Sequence, residues 1–378
     1  MKLKEIAKVQ GGYAFKSDSF VSNETPIIRI GNIVNNKVII DNDITAPIST
    51  IGDRKEFLIF KDDLLIAMSG ATVGKVGIYS FDNPSMLNQR VGNIKCDEKY
   101  KKYVFYLLQS PQFKKYVELS SIGCAQPNIS NSQIENFEFK ENSIGEIENI
   151  VRKLDNVSSL INIKKNEIEK LNILVKSQFV EMFGTIKNNN KFAYITIGEV
   201  IDKNIIKIKK RFKNGDKIKY IDISSIDSAK NVMSGYTDYK VGEEPSRAQQ
   251  CLRYNDIVVS TVRPNLKNIA MNKYNDDNII GTSGFCVLRS KGIRAEYLMY
   301  ILLSDDFTND MSSITTGANY PAIHNEDIYN YKIPNAPLEL QNKFSEFVKQ
   351  VDKQKFEFEK QLKKLEELQA SLMQEYFG

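Results

Sequence analysis

Hydrophobic residues recur every seven positions in two long segments of the chain. In the first segment they are Ile147, Leu154, Ile161, Ile168, Val175 and Met182. In the second segment they are Phe344, Val351, Phe358, Leu365 and Leu372. Lys and Glu fill many of the positions between them, and both segments end in Phe-Gly. A seven-residue repeat sustained over four or more heptads predicts two long helices with coiled-coil seams.

A region of about 140 residues with a different pattern precedes each helical segment. Short apolar or alternating runs between turn residues predict strands, such as DLLIAM from Asp63 and DIVVSTV from Asp256. One helical pattern interrupts the strands of each region, KYKKYVFYLLQSPQFKKYVE from Lys99 and AEYLMYILLSDDF from Ala295. Each region is therefore predicted to adopt an α+β (mixed α/β) fold.

The two halves of the chain match when one is shifted by 194 residues. YVFYLLQSPQF from Tyr103 then meets YLMYILLSDDF from Tyr297, and Pro127 in GCAQPNIS meets Pro321 in GANYPAIH. An ordered series of matches at nearly constant offset indicates a duplicated domain, because the period is too long for a solenoid repeat. We predict a first mixed domain at 1–142, a helical spacer at 143–185, a second mixed domain at 186–336 and a second helical spacer at 337–378.

The two predicted helices follow similar modules in one chain, which favours their pairing with each other as an antiparallel coiled coil. Such a pair would place the modules at opposite ends with pseudo-twofold symmetry. Double-stranded DNA sites have a matching twofold geometry, with half-sites about one helical turn apart. The heptad pattern alone leaves a dimerisation zipper or a structural stalk open.

The stretch SGATVGKVG, residues 69–77, resembles a phosphate-binding loop but has the wrong spacing. Gly70 and Gly74 enclose three residues instead of four, and Val76 follows Lys75 where Ser or Thr would bind magnesium. The following VGIY predicts a strand, so no helix N-terminus would meet a phosphate. We therefore predict a strand-turn-strand loop that presents Ser69, Thr72 and Lys75.

Composition narrows the functional classes only slightly. The 378 residues are 42% hydrophobic, with a formal net charge of +5, which permits a polyanionic partner without requiring one. The four cysteines form no Cys-x-x-Cys pair, which argues against a zinc site or a disulfide framework. With no signal peptide and no apolar run of about 18 residues, we expect a soluble, cytoplasmic protein with no membrane partner.

Motifs of DNA-processing enzymes are missing from the sequence. No (Asn/Asp)-Pro-Pro-(Tyr/Phe) segment or glycine-rich loop for S-adenosylmethionine occurs, and no cluster of carboxylates with a lysine indicates a nuclease. His324 is the one histidine and has no second histidine for a metal pair. We predict no catalytic residues and no metal site, so the chain is expected to recognise a target for other proteins.

The chain resembles the specificity (S) subunit of type I restriction-modification systems over essentially all its residues. The resemblance rests on GATVGKVG, on NQRVG at 88–92, on AQPNIS at 125–130, on the segments that enter the helices and on their Phe-Gly ends. It implies two target-recognition domains alternating with helical regions, each domain reading one half of a bipartite double-stranded DNA site. Because the second copy has STVRPNLKNIA for MSGATVGKVGI, we expect that site to be asymmetric.

The resemblance also implies partners that perform the chemistry. The helical regions would bind two modification (methyltransferase) subunits, which methylate adenine N6 after base flipping, and restriction (translocase/nuclease) subunits would join them. S-adenosylmethionine, ATP and Mg²⁺ are then expected on the partner subunits, with no cofactor on this chain. The seam residues expected on the partner-binding helices are Ile147, Leu154, Ile161, Ile168, Val351, Phe358 and Leu365.

Side-chain chemistry suggests roles for the loop residues. The guanidinium of Arg263 is suited to a bidentate contact with guanine O6 and N7. The side-chain amide of Asn265, Gln126 or Asn128 is suited to pairing with adenine N6 and N7. Lys75, Lys267 and Arg90 are of the type that binds phosphates. The candidate DNA contacts are Ser69, Thr72, Lys75, Arg90, Gln126, Asn128, Thr261, Arg263, Asn265, Lys267, Asn319 and Tyr320.

Two alternatives stay open at this point. One is a coiled-coil scaffold without DNA specificity, which predicts weak binding that vanishes with salt. The other is a fragment of a combined restriction-methylation enzyme, which the missing motifs disfavour.

Overall fold

The structure is a computed structural model that describes residues 1–120, 127–316 and 321–378. The chain forms two compact units, each described by itself below. Unit 1 comprises Met1–Lys165 and Lys360–Gly378, and unit 2 comprises Asn166–Glu359. Each unit therefore contains part of both long helices, whereas the four-segment division expected from the sequence stays a prediction.

The first half of the chain contains the following elements. The strands are β1 (Ala7–Gly11), β2 (Thr25–Ile28), β3 (Ile33–Val34), β4 (Lys37–Val38), β5 (Thr45–Ala46), β6 (Leu58–Ile59), β7 (Leu64–Ala67), β8 (Val76–Ile78), β9 (Ser85–Leu87) and β10 (Val91–Cys96). The helices are α1 (Glu98–Leu107), α2 (Pro111–Ser120), α3 (Asn131–Glu135) and α4 (Ile144–Phe183).

Two sheets form the strand-rich part of unit 1. One has the order β1-β10-β7-β8-β4-β3 and the other β5-β2-β9-β6. Antiparallel pairing of β10 with β7 places Val91 opposite Ala67. The residues just after β7 and just before β10 are therefore neighbours, and these are the loops that form the candidate site.

The second half repeats this series. Its strands are β11 (Tyr194–Thr196), β12 (Ile201–Asp202), β13 (Lys217–Ile221), β14 (Ile226–Asp227), β15 (Val232–Met233), β16 (Thr237–Lys240), β17 (Ala248–Cys251), β18 (Ile257–Ser260), β19 (Ile269–Met271), β20 (Ile279–Thr282), β21 (Phe285–Ser290) and β22 (Lys332–Pro334). Its helices are α5 (Ile208–Arg211), α6 (Ala295–Leu302), α7 (Asp305–Ser313), α8 (Asn325–Tyr329) and α9 (Leu338–Phe377).

The two four-stranded sheets of unit 2 repeat the strand orders of unit 1, whereas β14 and β15, the counterparts of β3 and β4, form a separate two-stranded sheet. The order β12-β21-β18-β19 corresponds to β1-β10-β7-β8, and β16-β13-β20-β17 corresponds to β5-β2-β9-β6. The unusual parallel pair also recurs, as β2 with β9 and as β13 with β20. The mixed α/β class and the tandem layout predicted from the sequence are confirmed.

The prediction of one helix among the strands of each copy is wrong, because each helical pattern forms two consecutive helices, α1 and α2 in the first copy and α6 and α7 in the second. In the first copy α1 stops before Ser110, whose hydroxyl accepts from the Phe113 N–H at 3.0 Å and caps α2. In the second copy Ser304 accepts from the Phe307 N–H at 3.1 Å and caps α7. Both apolar patterns continue through the break, so the periodicity hides a stop that the capping serine makes.

The long helices run antiparallel within unit 1. Lys153 Nζ donates to the Tyr376 hydroxyl at 3.0 Å. Further along, Lys165 pairs with Glu366, with 3.0 Å between Nζ and Oε1. Residue numbers rise on α4 while they fall on α9, which is the predicted antiparallel arrangement.

The same arrangement holds the long helices together within unit 2. Lys355 Nζ donates to Asn172 Oδ1 at 2.9 Å, and the rings of Phe183 and Phe344 pack with centroids 5.5 Å apart.

Among the described residues, no helix has both the length and the apolar character needed to cross a bilayer.

Candidate functional site

Unit 1 has a cleft built from three loops, which we call the first cleft. Its volume is about 730 Å³. It lies where β7 ends, where β10 begins and where the chain enters α3. Its lining residues are Met68, Ser69, Gln89, Arg90, Pro127, Asn128, Ile129, Ser130, Asn131 and Ser132.

Backbone hydrogen bonds fix the three loops of the first cleft to one another. The Met68 N–H donates to the Arg90 carbonyl at 2.9 Å, and the Ile129 N–H donates to the Met68 carbonyl at 2.9 Å. The Gly70 N–H donates to the Pro127 carbonyl at 2.8 Å. We call this set of three backbone hydrogen bonds the frame of the unit. Because the frame uses main-chain atoms, the side chains of the loops can vary while the loops keep their arrangement.

Unit 2 contains the same frame at the equivalent positions. The Thr261 N–H donates to the Gly284 carbonyl at 3.0 Å, and the Ile323 N–H donates to the Thr261 carbonyl at 2.9 Å. The Arg263 N–H donates to the Pro321 carbonyl at 2.8 Å. The duplication therefore extends to individual hydrogen bonds of the candidate site.

The two frames differ in which loop supplies an arginine. In unit 1 Arg90 is exposed and Gly70 occupies the loop after β7. In unit 2 the positions are exchanged, because Arg263 is exposed after β18 and Gly284 precedes β21.

The arginine of unit 2 stands in a backbone conformation that favours glycine. The φ angle is +73° at Gly70 and +51° at Arg263. A non-glycine residue in this left-handed region costs free energy, and such residues concentrate at functional sites. Arg263 is therefore held in the conformation that its glycine counterpart adopts without that cost.

The other candidates in the loop after β7 divide between two surfaces. Ser69 lines the first cleft, but the hydroxyl oxygens of Ser69 and Thr72 are buried and lack a hydrogen-bond partner among the described residues. Lys75 is exposed and lines a neighbouring cleft of about 850 Å³ together with Asn36 and Lys114. Lys75 therefore does not join Arg90 and Asn128.

In the corresponding loop of unit 2, Asn265 is exposed to solvent, whereas Lys267 is held in an ion pair. Lys267 Nζ pairs with Asp305 Oδ1 at 2.6 Å, at the start of α7. The hydrogen bond and charge of Lys267 hold the pKa of Asp305 below its usual range. Thr261 donates its hydroxyl to the Gly284 carbonyl at 3.1 Å, so it supports the frame.

The remaining predicted contacts, Gln126, Asn319 and Tyr320, lie outside the described residues.

Sequence reasoning missed three exposed residues beside the frames. Gln89 lines the first cleft next to Arg90, and its N–H donates to the Tyr13 carbonyl at 2.8 Å. In unit 2 the Ser283 N–H donates to the Arg247 carbonyl at 2.7 Å, which places both residues beside Gly284. NQRVG was a signal for Gln89, but nothing in the sequence links Arg247 to a loop 36 residues later.

The predicted seam residues pack inside the chain itself. Ile147, Leu154 and Ile161 are buried in unit 1, and Val351 is buried in unit 2. Ile168, Phe358 and Leu365 are partly buried. Other apolar side chains of the long helices are exposed instead, namely Leu160, Ile163, Ile173, Leu174, Val180, Phe356 and Leu368.

Comparisons with known proteins give a consistent family. The family model of the type I restriction modification DNA specificity domain matches residues 1–172 and 189–369. The MjaVIII type I restriction enzyme specificity subunit of Methanocaldococcus jannaschii is 29% identical over 177 residues, which are 45% of this chain and 42% of that protein. The alignment thus spans less than half the length of this relative.

Solved structures share the fold over the whole chain. The type I restriction-modification S subunit from M. genitalium matches 100% of this chain and 95% of its own, with a TM-score of 0.56 and 17% identity. A chain from a type I restriction-modification system, solved to explain complex assembly and conformational transition, matches 100% and 96%, with a TM-score of 0.53 and 14% identity. With the frame occurring once in each matched segment, the chain belongs to the family of type I restriction modification DNA specificity domains.

Proposed function

We propose that the chain is a specificity subunit whose two units each read one half of an asymmetric bipartite site in double-stranded DNA. The observation that carries this proposal is the repeated frame with exchanged arginines, Arg90 with Gly70 in one unit and Gly284 with Arg263 in the other. A common frame gives both units one mode of docking, while different side chains give them different sequence preferences.

The first cleft offers side chains suited to base edges. Arg90 presents the planar fork that pairs with guanine O6 and N7, and Gln89 and Asn128 carry amides that pair with adenine N6 and N7. We now assign Arg90 to base reading instead of phosphate binding, since it lines the same cleft as Asn128. Lys75 keeps the phosphate role because it lies in the neighbouring cleft.

Unit 2 reads its half-site with Arg263 as the guanine-binding side chain. Asn265 is exposed two residues further on and is suited to adenine. Arg247 and Ser283 lie at the other side of the frame and extend the surface. Because the side chains of the two units differ at every one of these positions, the two half-sites differ.

The long helices bind the partner subunits through their outward faces. The seam residues are largely buried by the chain itself, so contacts with other chains fall to exposed apolar residues such as Leu160, Ile163 and Ile173. Two modification subunits bound to these faces methylate adenine N6 in the DNA, and restriction subunits join the complex. The chain itself is non-catalytic, and S-adenosylmethionine, ATP and Mg²⁺ belong to those partners.

The test is to co-express the chain with the modification subunit from its own source and to sequence host DNA for N6-methyladenine. The proposal predicts one bipartite motif with a gap of several base pairs that is absent without this chain. Methylation with no motif, or none despite a purified complex, would favour a scaffold without specificity. Methylation by this chain without any modification subunit would point to the combined enzyme.

A further inference from the structure

One short segment of unit 2 concentrates positive charge where the equivalent segment of unit 1 does not. The segment 207–219, KIKKRFKNGDKIK, has seven Lys or Arg residues and one Asp. The equivalent segment 13–25, YAFKSDSFVSNET, has one Lys against one Asp and one Glu. The duplication makes this a direct comparison, because the two segments occupy the same place in their copies.

The structure puts most of these charges on one exposed surface around α5. We call it the α5 surface and define it by Lys207, Lys209, Lys210, Arg211 and Lys213, all of which are exposed. Two acidic residues lie beside it: Asp277 pairs with Arg211 at 3.3 Å, and the Asp216 carboxylate accepts from the Lys213 N–H at 2.7 Å. Lys219, on β13, pairs with Asp276 at 2.9 Å. Lys209, Lys210 and Lys213 form no ion pair with any described residue.

The α5 surface adjoins the frame of unit 2. Lys207 forms a backbone bridge to Gln250 of β17. The Gln250 amide in turn donates to the carbonyls of Thr282 at 2.8 Å and Phe285 at 2.9 Å, on either side of the loop that contains Gly284. The basic side chains therefore start one strand away from the loops proposed to read bases.

Unit 1 has an aromatic cluster in place of this surface. Tyr13 packs against Phe15 with ring centroids 4.9 Å apart, and the Arg54 guanidinium lies 4.6 Å from the Tyr13 ring centre. The one lysine of the segment, Lys16, has Asp18 two positions away. No comparable group of cations occurs in this segment of unit 1.

We infer that the α5 surface binds the phosphate backbone of DNA beside the half-site read by unit 2, and that it supplies much of the sequence-independent affinity of the whole chain. The inference rests on the proposed function. Lysines that neutralise phosphates release counterions, so each contact steepens the fall of affinity with salt without adding base preference. Unit 1 lacks this group of cations at the equivalent segment, so unit 2 would make the larger contribution to phosphate binding at this position.

The experiment compares the full-length chain with the variant Lys209→Gln/Lys210→Gln. The matched control is Lys353→Gln/Lys360→Gln, which removes the same charge from exposed positions on α9. Affinity is measured against salt concentration for a duplex with the methylated motif and for a scrambled duplex. Circular dichroism verifies that both variants are folded.

We expect the slope of log affinity against log salt to become shallower by about 1.8 for the α5 variant on both duplexes, since each lost contact changes it by about 0.9. The preference for the motif and the slope of the control should match the wild type. If the wild type prefers its motif but the α5 variant keeps the wild-type slope, this inference alone is overturned. It is also overturned if the slope of the control becomes shallower by as much as that of the α5 variant. A wild type that binds neither duplex would overturn the proposed function with it.

Discussion

The ring of Tyr103 packs against the ring of Phe377 with centroids 5.4 Å apart, although the two residues come from different copies of the module. The reciprocal contact joins Tyr297 and Phe183 at 4.6 Å in unit 2. Tyr103 and Tyr297 are equivalent residues, as are Phe183 and Phe377, which end the long helices. Each unit therefore completes its core with the helix end of the other copy.

Truncating either phenylalanine should destabilise the unit whose core it completes. Phe377 is 4% exposed and Phe183 is 1% exposed, so we expect Phe377→Ala and Phe183→Ala each to cost about 3 to 5 kcal/mol. The measurement is urea unfolding of the full-length chain. Phe356→Ala on α9 is the control, because Phe356 is 63% exposed and should change stability by less than about 0.5 kcal/mol. Equal effects of Phe377→Ala and Phe356→Ala would refute the conclusion that each unit completes its core with the helix end of the other copy.

An ion pair is also duplicated, but its burial differs between the copies. Arg289 Nη2 lies 2.7 Å from Asp256 Oδ2, with side chains 11% and 2% exposed. The equivalent Lys95 Nζ lies 2.9 Å from Asp63 Oδ1, with side chains 43% and 16% exposed. The same sheet position thus carries a buried pair in unit 2 and a more solvated one in unit 1.

Removing the cation of each pair should therefore have different costs. Arg289→Ala leaves the buried Asp256 carboxylate unpaired and should cost about 3 to 5 kcal/mol, whereas Lys95→Ala should cost about 1 kcal/mol or less. Denaturant unfolding of the two variants tests the contrast. The double variant Arg289→Met/Asp256→Asn should recover much of the loss, because it leaves no buried charge. Similar costs for both single variants would contradict the assigned burial.

Much of this fold follows from the sequence, because its strongest signals are periodic and repeated. The heptads located α4 and α9, and the offset of 194 residues revealed the tandem copies. The α1/α2 break was missed because a serine cap does not interrupt the apolar pattern. The heptads also could not say whether seam residues such as Leu154 meet another chain or their own core, since both burials produce the same spacing.

The candidate site was harder to predict, for a physical reason. Chemistry-bearing residue types such as Arg263 and Asn128 could be selected from their loops. The frame that groups them consists of backbone hydrogen bonds, for example between Met68 and Arg90, and these leave no side-chain pattern. For the same reason the exposed Arg247 went unnoticed, and Lys75 was grouped with residues that lie in another cleft.

The Lys267–Asp305 pair gives a test of phosphate binding in unit 2. Asp305→Asn should free the Lys267 ammonium and raise DNA affinity several-fold for all sequences alike, if Lys267 reaches a phosphate. Binding assays on motif and scrambled duplexes measure the gain.

The control for this gain is Asp305→Asn/Lys267→Gln, which should return affinity to the wild-type level or below. An unchanged affinity in Asp305→Asn would mean that Lys267 only docks the start of α7.

The exchanged arginines lead to a prediction about which variants lose specificity. Arg263→Ala and Arg90→Ala should each relax base preference at one position, in different half-sites, at a cost of about 1 to 3 kcal/mol in discrimination. Lys75→Ala should weaken binding to all sequences and leave the preference intact. Competition binding with single-base variants of the methylated motif separates these results. If Arg90→Ala weakened all sequences equally, it would belong with the phosphate contacts, as its residue type first suggested.

The left-handed backbone of Arg263 allows its side chain to be tested apart from its conformation. Arg263→Gly removes the same guanidinium as Arg263→Ala but places at φ +51° the residue that tolerates it, so it should be about 1 to 2 kcal/mol more stable than the alanine variant. Both variants should nevertheless lose the same base preference, because that preference depends on the guanidinium. Preference retained in Arg263→Gly but lost in Arg263→Ala would show that the loop conformation, and not the arginine, determines recognition in unit 2.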